Sequence, residues 1–387
     1  MNVGFFVEKS DPKTGGAFTL NESVLNALFK ASSKHNFNFF SYYDIDVATR
    51  HKIIKLKRNG IFSRLKKKIH NRFELPYYSN NLNLAAMAKK IEFMWFLSPT
   101  LYEDVQMPFS FTIWDVQHRL QPYFPEVNFK NIFEFWGREK YYKTVLPRAA
   151  QIVSGTDVGI NEISLFYSIP KERFKKIPFP TPDYYLNGHT QNSDEVLKKY
   201  GLTGKFIFYP AQFWPHKNHI SILLAIKKLR EMNIDISAVF TGSDQGNAGY
   251  ILDKINEMGL KNYVKPLGFI PLEDVAALYR KAFALVFPTY FGPDNIPPLE
   301  AMASGCPVIL SEVPGAREQF GDSAMFFDPK DSGAIVESVI KLLNDGQLRS
   351  NYILKGKERA SSFSSSDYAA KIIEALDSFE PIRKCWR

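Results

Sequence analysis

The run FGPDNIPPLEAMASGCPVIL, residues 291–310, places one carboxylate, Glu300, just behind a proline pair in an otherwise apolar stretch. Pro297 and Pro298 suit the first turn of a helix, Leu299 to Ser304 continue it, and Gly305 stops it before an apolar strand, PVILS. Glu300 thus falls near a helix start, where an acid alone does no more than complement the helix dipole, for about 0.3–1 kcal/mol. Its flank carries more. Asn295 and Ile296 bring backbone N–H groups to the same start, a site for phosphate. N–H groups that take phosphate beside a carboxylate that takes hydroxyls would together suit a ribose joined to a diphosphate.

Other residues share that chemistry. Lys217, in FWPHKNHISILLAI, follows a β-run and precedes a helical one, the carboxyl-end position where open parallel sheets bind ligands. Gly15 and Gly16, in KTGGAFTLNESVL, stand between a strand and a helix, where missing side chains let backbone approach a phosphate. His118, in WDVQHRL, lies beyond the strand FSFTIW, where a solitary histidine is more often structural than functional. Asp44-Ile45-Asp46 has the spacing to hold a divalent cation against a diphosphate, or simply to cap a strand end. His216 and His219 flank Lys217, but no further ligands stand at metal spacing. No metal site is therefore expected.

The elements that must position these residues alternate. NVGFFVE, a helix from about Ala17 to Ser33, NFNFFSYY, EFMWFLS, FSFTIW and QIVSG make a βα pattern with a parallel sheet. The Pro-rich IPFPTPDYY, Ile177 to Tyr185, interrupts it. The alternation resumes with KFIFYPA, a helix from about Asn218 to Met232, ISAVFTG, NYVKPLG, FALVFP and CPVILS. The 387 residues exceed what one hydrophobic core usually holds. The chain therefore divides into a first domain over 1–180, a second over 181–365, and a helix over 366–387 that returns to the first. The fold class is α/β, two doubly wound, Rossmann-like sheets with the site in the groove between them.

The net charge of +9 favours anionic partners in general. Between His51 and Arg72 the segment HKIIKLKRNGIFSRLKKKIHNR carries nine Lys or Arg and no acid, interleaved with Ile, Leu and Phe. It is either a solvated basic face or a surface for anionic lipid; no nucleic-acid module accompanies it. The start, MNVGFFVEKS, lacks a secretory h-region, no apolar run reaches membrane-spanning length, and Cys306 and Cys385 form no disulfide framework. A cytoplasmic protein, at most peripheral on the inner membrane face, is expected.

TGGAFTLNESVL, TIWDVQHRLQPYFPE, PAQFWPHKNH and PPLEAMASGCPVILSEVPGAREQF, in that order along most of the chain, resemble the family 4 retaining glycosyltransferases of the GT-B fold, also called glycosyltransferases group 1. The resemblance implies a hexosyltransferase-type enzyme that moves a sugar from a nucleotide-diphosphate sugar to a hydroxyl of a glycan or lipid-linked glycan, as in surface polysaccharide synthesis. No cofactor is required beyond that donor. By the same resemblance Glu300 holds the donor ribose, Lys217 pairs with the diphosphate, Gly16 borders it, and His118 faces the sugar. The backbone at Phe269 and Ile270 meets the base, with Thr241-Gly242 a second nucleotide-side turn.

Two positions depart from the family. Gln212 stands where an Arg precedes the lysine by five residues, and Gly292 where a first Glu precedes Glu300 by eight. Neutralisation then rests on Lys217, helix starts and backbone N–H groups, and the sugar hydroxyls need another acceptor, Asp294 or Asn295. The rival reading is a sugar-nucleotide-binding or scaffold protein of this fold that lost turnover with those charges.

Overall fold

FMWF and ALVF carry apolar residues on both faces instead of alternating, the pattern of a strand covered by helices on each side. All four residues of each run are buried. In this computed structural model, residues 1–9, 16–45, 53–57, 81–99, 105–127, 132–188 and 192–386 are described. Gly15, Asp46 and most of the basic stretch 51–72 lie outside them.

Among the described residues, seven strands form the first sheet: β1 Asn2–Phe6, β2 Asn36–Ser41, β3 Ile53–Lys55, β4 Phe93–Phe96, β5 Phe109–Thr112, β6 Gln151–Ser154 and β7 Phe174–Lys176. Their order is β3-β2-β1-β4-β5-β6-β7, with every pairing parallel. The second sheet holds β8 Phe206–Pro210, β9 Ser237–Thr241, β10 Val264–Pro266, β11 Ala284–Phe287, β12 Val308–Ser311 and β13 Met325–Phe327, in the order β10-β9-β8-β11-β12-β13, again parallel. The order reverses between β1 and β4 in one sheet and between β8 and β11 in the other. Loops diverge there and leave a crevice at the strands' carboxyl ends. The chain has the GT-B architecture, two doubly wound sheets with a cleft between them.

The helix Ser365–Arg383 starts with a capping box, Ser364 and Asp367 satisfying each other's backbone N–H. Its Tyr368, Ile372, Leu376 and Phe379 share one apolar cluster with Val3, Phe5 and Phe93 of the first sheet. Gln151 of β6 also donates Nε2 to the carbonyl of Ala375 at 2.8 Å. The chain crosses between the domains near 177–182 and again near 362–364. Thr181 binds the two crossings together, Oγ1 donating to Ala360 O at 2.7 Å and N–H to Phe363 O at 3.1 Å. Among the described residues, no helix is long and apolar enough to cross a membrane.

Candidate functional site

A cleft of about 450 Å³ opens between the sheets. The first domain lines it with Leu20, one turn into the helix Gly16–Lys30, and with Trp114, Asp115 and Gln117 beyond β5; the second lines it with residues 210–217 after β8 and 287–297 after β11. The loops after both strands at the second sheet's reversal point, β8 and β11, therefore feed the same space.

Lys217 ends a single 3-10 turn, Pro215–Lys217, and Asn218 follows in the left-handed region at φ 55°. Asn218 fixes that turn by donating Nδ2 to the carbonyls of Pro288 and Pro329 at 3.1 and 3.0 Å. The half-buried Lys217 lines the cleft with Nζ 5.3 Å from the centre of the Phe287 ring. It makes no ion pair or hydrogen bond through Nζ with the described residues. Burial lowers its pKa to about 8, against the opposing pull of Asp115 and Glu126. A cation without a counter-charge at a strand's carboxyl end is arranged to receive an anion.

The segment after β11 turns on Gly292. Its φ of +135° and the Asn295 side chain, which would lie 2.5 Å from an added Cβ, leave no room for another residue. The missing family Glu is thus part of a different backbone path, closed by Asn295 Nδ2 donating to Gly292 O at 2.8 Å. That path also changes the helix start. The N–H of Asn295 donates to Gln319 Oε1 at 2.8 Å, and Gln319 Nε2 returns a bond to Asn295 O at 3.0 Å. Pro297 and Pro298 have no N–H. The helix Ile296–Ala303 therefore presents fewer donors to a phosphate than its sequence suggests: the Asn295 N–H is spent, and of the first-turn N–H groups that would be unpaired only that of Ile296 remains.

Asp294 lines the cleft with neither carboxylate oxygen open to solvent or hydrogen-bonded. It presses on Gly155 of the first domain, where an added Cβ would fall 1.9 Å from Oδ2. Burial and the nearby Glu318 raise its pKa to about 7. Glu300 is buried beneath the cleft and is not among its lining residues. Tyr279 donates to its Oε2 at 3.0 Å and Thr19, from the first domain, to its Oε1 at 3.3 Å. Burial outweighs these bonds and raises its pKa to about 7.

The remaining expected residues divide. Gln212 lines the cleft, donating Nε2 to Ser243 Oγ at 3.1 Å and accepting from Trp214 Nε1 at 3.0 Å. Gly16 opens the first helix. Thr241-Gly242 and the Phe269-Ile270 turn lie side by side, since Gly242 N–H donates to Gly268 O at 2.8 Å, but none of the four lines the cleft. His118 is fully buried and does not reach the cleft either. Its Nε2 lies 2.8 Å from Glu139 Oε1 and 3.1 Å from the Tyr167 hydroxyl, Nδ1 has no partner, and burial lowers its pKa to about 4. It is neutral at pH 7. Asp44 is paired with Lys55 at 2.6 Å.

Asp115 and Trp114 escaped sequence reasoning, and so did the pairing of His216, noticed there only as a neighbour of Lys217. Asp115 accepts from Arg138 at 2.6 Å and faces the cleft. Trp114 shows the cleft an indole whose Nε1 is buried without a partner. His216 Nδ1 meets Glu126 Oε1 at 2.6 Å across the domain boundary. Only Asp115 carried a signal, its place just beyond a strand.

The facing sheets and the unpaired lysine over the cleft define a GT-B protein with an anion-receiving second domain. Over 240 residues, 61% of this chain and 63% of the relative, it is 28% identical to O-antigen chain mannosyltransferase B of Escherichia coli. Over 167 residues, 42% of this chain and 46% of the relative, it is 29% identical to O-antigen chain mannosyltransferase RfbU of Salmonella typhimurium. Both matches span less than two thirds of the relative's length. The structure of Anabaena HepE in complex with UDP-glucose superposes with a TM-score of 0.70 at 15% identity, covering 98% of this chain and 100% of that one. Residues 192–359 match the profile of the family Glycosyl transferases group 1.

Proposed function

We propose that this protein transfers a sugar, a mannosyl unit by kinship with its O-antigen relatives, from a nucleotide-diphosphate sugar to a glycan or lipid-linked glycan, with anomeric configuration retained. The observation that carries the reading is the free ammonium of Lys217 at the carboxyl end of β8. A diphosphate leaving group gains negative charge as the glycosidic bond breaks, and a fixed cation in a cleft that excludes water stabilises that charge with little reorganisation. Asp294 takes hydroxyls of the transferred sugar in place of the missing Glu. The Thr19 bond to Glu300 crosses the domain boundary, so opening of the cleft frees that oxygen for a ribose hydroxyl. Gly16, Gln212 and Ile296 border the diphosphate, Asn295 orders the loop around it, and the turns at Thr241-Gly242 and Phe269-Ile270 take the nucleoside. His118, behind Glu139, supports the first-domain wall without contacting the donor.

The basic stretch 51–72 engages an anionic membrane surface that carries the acceptor. Flotation with anionic liposomes should fail after Lys66, Lys67 and Lys68 are changed to Glu; unchanged flotation removes this part. The function itself is tested by thermal-shift screening against GDP-, UDP-, dTDP- and ADP-sugars, since a ligand that binds the folded state raises Tm. One class should raise it and then support turnover. Silence from all four overturns the reading.

A further inference from the structure

The cleft is lined by two carboxylates, and they are not equivalent. Asp294 comes from the second domain with both oxygens shut from solvent. Asp115 comes from the first, just past β5, with its side chain about a quarter exposed at 28%. One of its oxygens is committed: Oδ1 accepts from Arg138 at 2.6 Å and from the Gln117 N–H at 3.0 Å. Arg138 also donates to the Asp115 carbonyl at 3.2 Å, so the carboxylate is held at both ends of its residue. Oδ2 accepts no hydrogen bond from the described residues. The preceding residue, Trp114, also lines the cleft, its indole Nε1 closed to water and unpartnered although buried donors ordinarily find an acceptor. Lys217 lines the same cleft from the other domain without forming an ion pair with Asp115. An uncommitted acceptor oxygen on one wall of the cleft and an unpaired cation on the other suit a polar guest held between them.

We infer that Asp115 is the first domain's hydrogen-bond acceptor for the attacking hydroxyl of the acceptor substrate, holding it across the cleft from the diphosphate on Lys217. This rests on the transfer reaction proposed above. In that reaction the bond from the anomeric carbon to the diphosphate oxygen breaks with its electron pair on the diphosphate. The acceptor oxygen bonds to the same carbon, and its proton passes to the departing diphosphate oxygen. Asp115 orients the hydroxyl and does not keep the proton. Burial alone would raise its pKa, but the Arg138 charge and hydrogen bond, with the Gln117 N–H and His118, outweigh burial and hold the carboxyl below 3.8. A group so weakly basic accepts a hydrogen bond and leaves the proton for the phosphate. Arg138 is the positioning residue.

The experiment compares transfer with hydrolysis in Asp115→Asn, using the sugar nucleotide that raises Tm and methyl α-mannoside as the added acceptor. Donor affinity should stay within about twofold, since Asp115 lies on the wall opposite Lys217, while transfer falls about 100-fold, as misplacing a reacting group does. Slow donor hydrolysis, whose water needs no such orientation, should change far less, so the transfer-to-hydrolysis ratio collapses. Asp115→Glu keeps the charge for Arg138 and the fold but moves the oxygens by about one methylene, and should show the same collapse. An unchanged ratio with intact donor binding overturns the assignment and leaves the transferase reading standing. Transfer, hydrolysis and Tm falling together in both variants overturns it in favour of a purely structural Asp115–Arg138 pair. A protein that binds no donor at all fails at the underlying function.

Discussion

Asp294→Asn should change how stability depends on pH. In the folded protein the Asp294 carboxyl titrates near 7 because burial and Glu318 penalise its charge, against a usual value of 3.8. At about 1.4 kcal/mol for each tenfold change in proton affinity, that interval is worth about 4 kcal/mol. The sign follows from which state holds the proton more tightly. Here it is the folded one, so stability from this site is intact below the unfolded value and drains as pH rises through about 7. From about pH 5 to about pH 8.5 the loss comes to roughly 3 kcal/mol. Asn cannot titrate, and its unpartnered amide costs about 1–3 kcal/mol at every pH. Urea unfolding at several pH values should therefore show the variant gaining on the unsubstituted protein by roughly 3 kcal/mol across that range. Taking the difference cancels Glu300, which titrates in the same window in both proteins. Saturating donor should flatten the dependence of the unsubstituted protein, because sugar hydroxyls would satisfy the ionised carboxylate. A difference that is flat with pH would refute the claim that Asp294 is a dry, unpartnered acid.

Lys217→Ala should weaken donor binding by about 10- to 100-fold, the equivalent of one charge-assisted hydrogen bond at about 1.5–3 kcal/mol, as read by calorimetry. In the unsubstituted protein donor affinity should fall as pH rises past about 8, where Lys217 loses its proton; an affinity level to pH 9.5 would speak against its role. Glu300→Gln should be more stable than the unsubstituted protein above pH 7 and indistinguishable near pH 4, because the raised carboxyl costs stability only once it ionises. Glu318 of the second domain accepts from the Asp157 N–H at 2.8 Å at the start of the helix Asp157–Tyr167 and meets Lys176 at 3.1 Å. Glu318→Ala should therefore cost about 1 kcal/mol and enlarge the radius of gyration in X-ray scattering.

The long central strands could be read directly, because runs such as FMWF and FIFYP have no polar face to mislead. The edge strands β3, β7 and β13 could not. Each is three residues long, and IIK and FKK carry the lysines that protect an exposed edge. Lys217 was legible because its position is local, directly between a strand and a helix. The state of the helix start at Ile296 was not, since Asn295 spends its N–H on a glutamine 24 residues further along. His118 shows the same limit. WDVQHRL puts it beyond a strand, yet Glu139 and Tyr167, from other helices, decide that it turns inward. Asp115, three residues earlier, faces the cleft in its stead.

The helix Ser365–Arg383 has a consequence for biosynthesis. Its Tyr368, Ile372 and Leu376 complete the apolar layer over Val3 and Phe5, yet they are translated after the entire second domain. During synthesis the amino-terminal half must wait with that layer open to water while the other half emerges and folds, so the usual vectorial order of domain maturation is inverted. Nascent chains stalled before residue 365 should bind chaperones through the first domain, and release of the following segment should end the association.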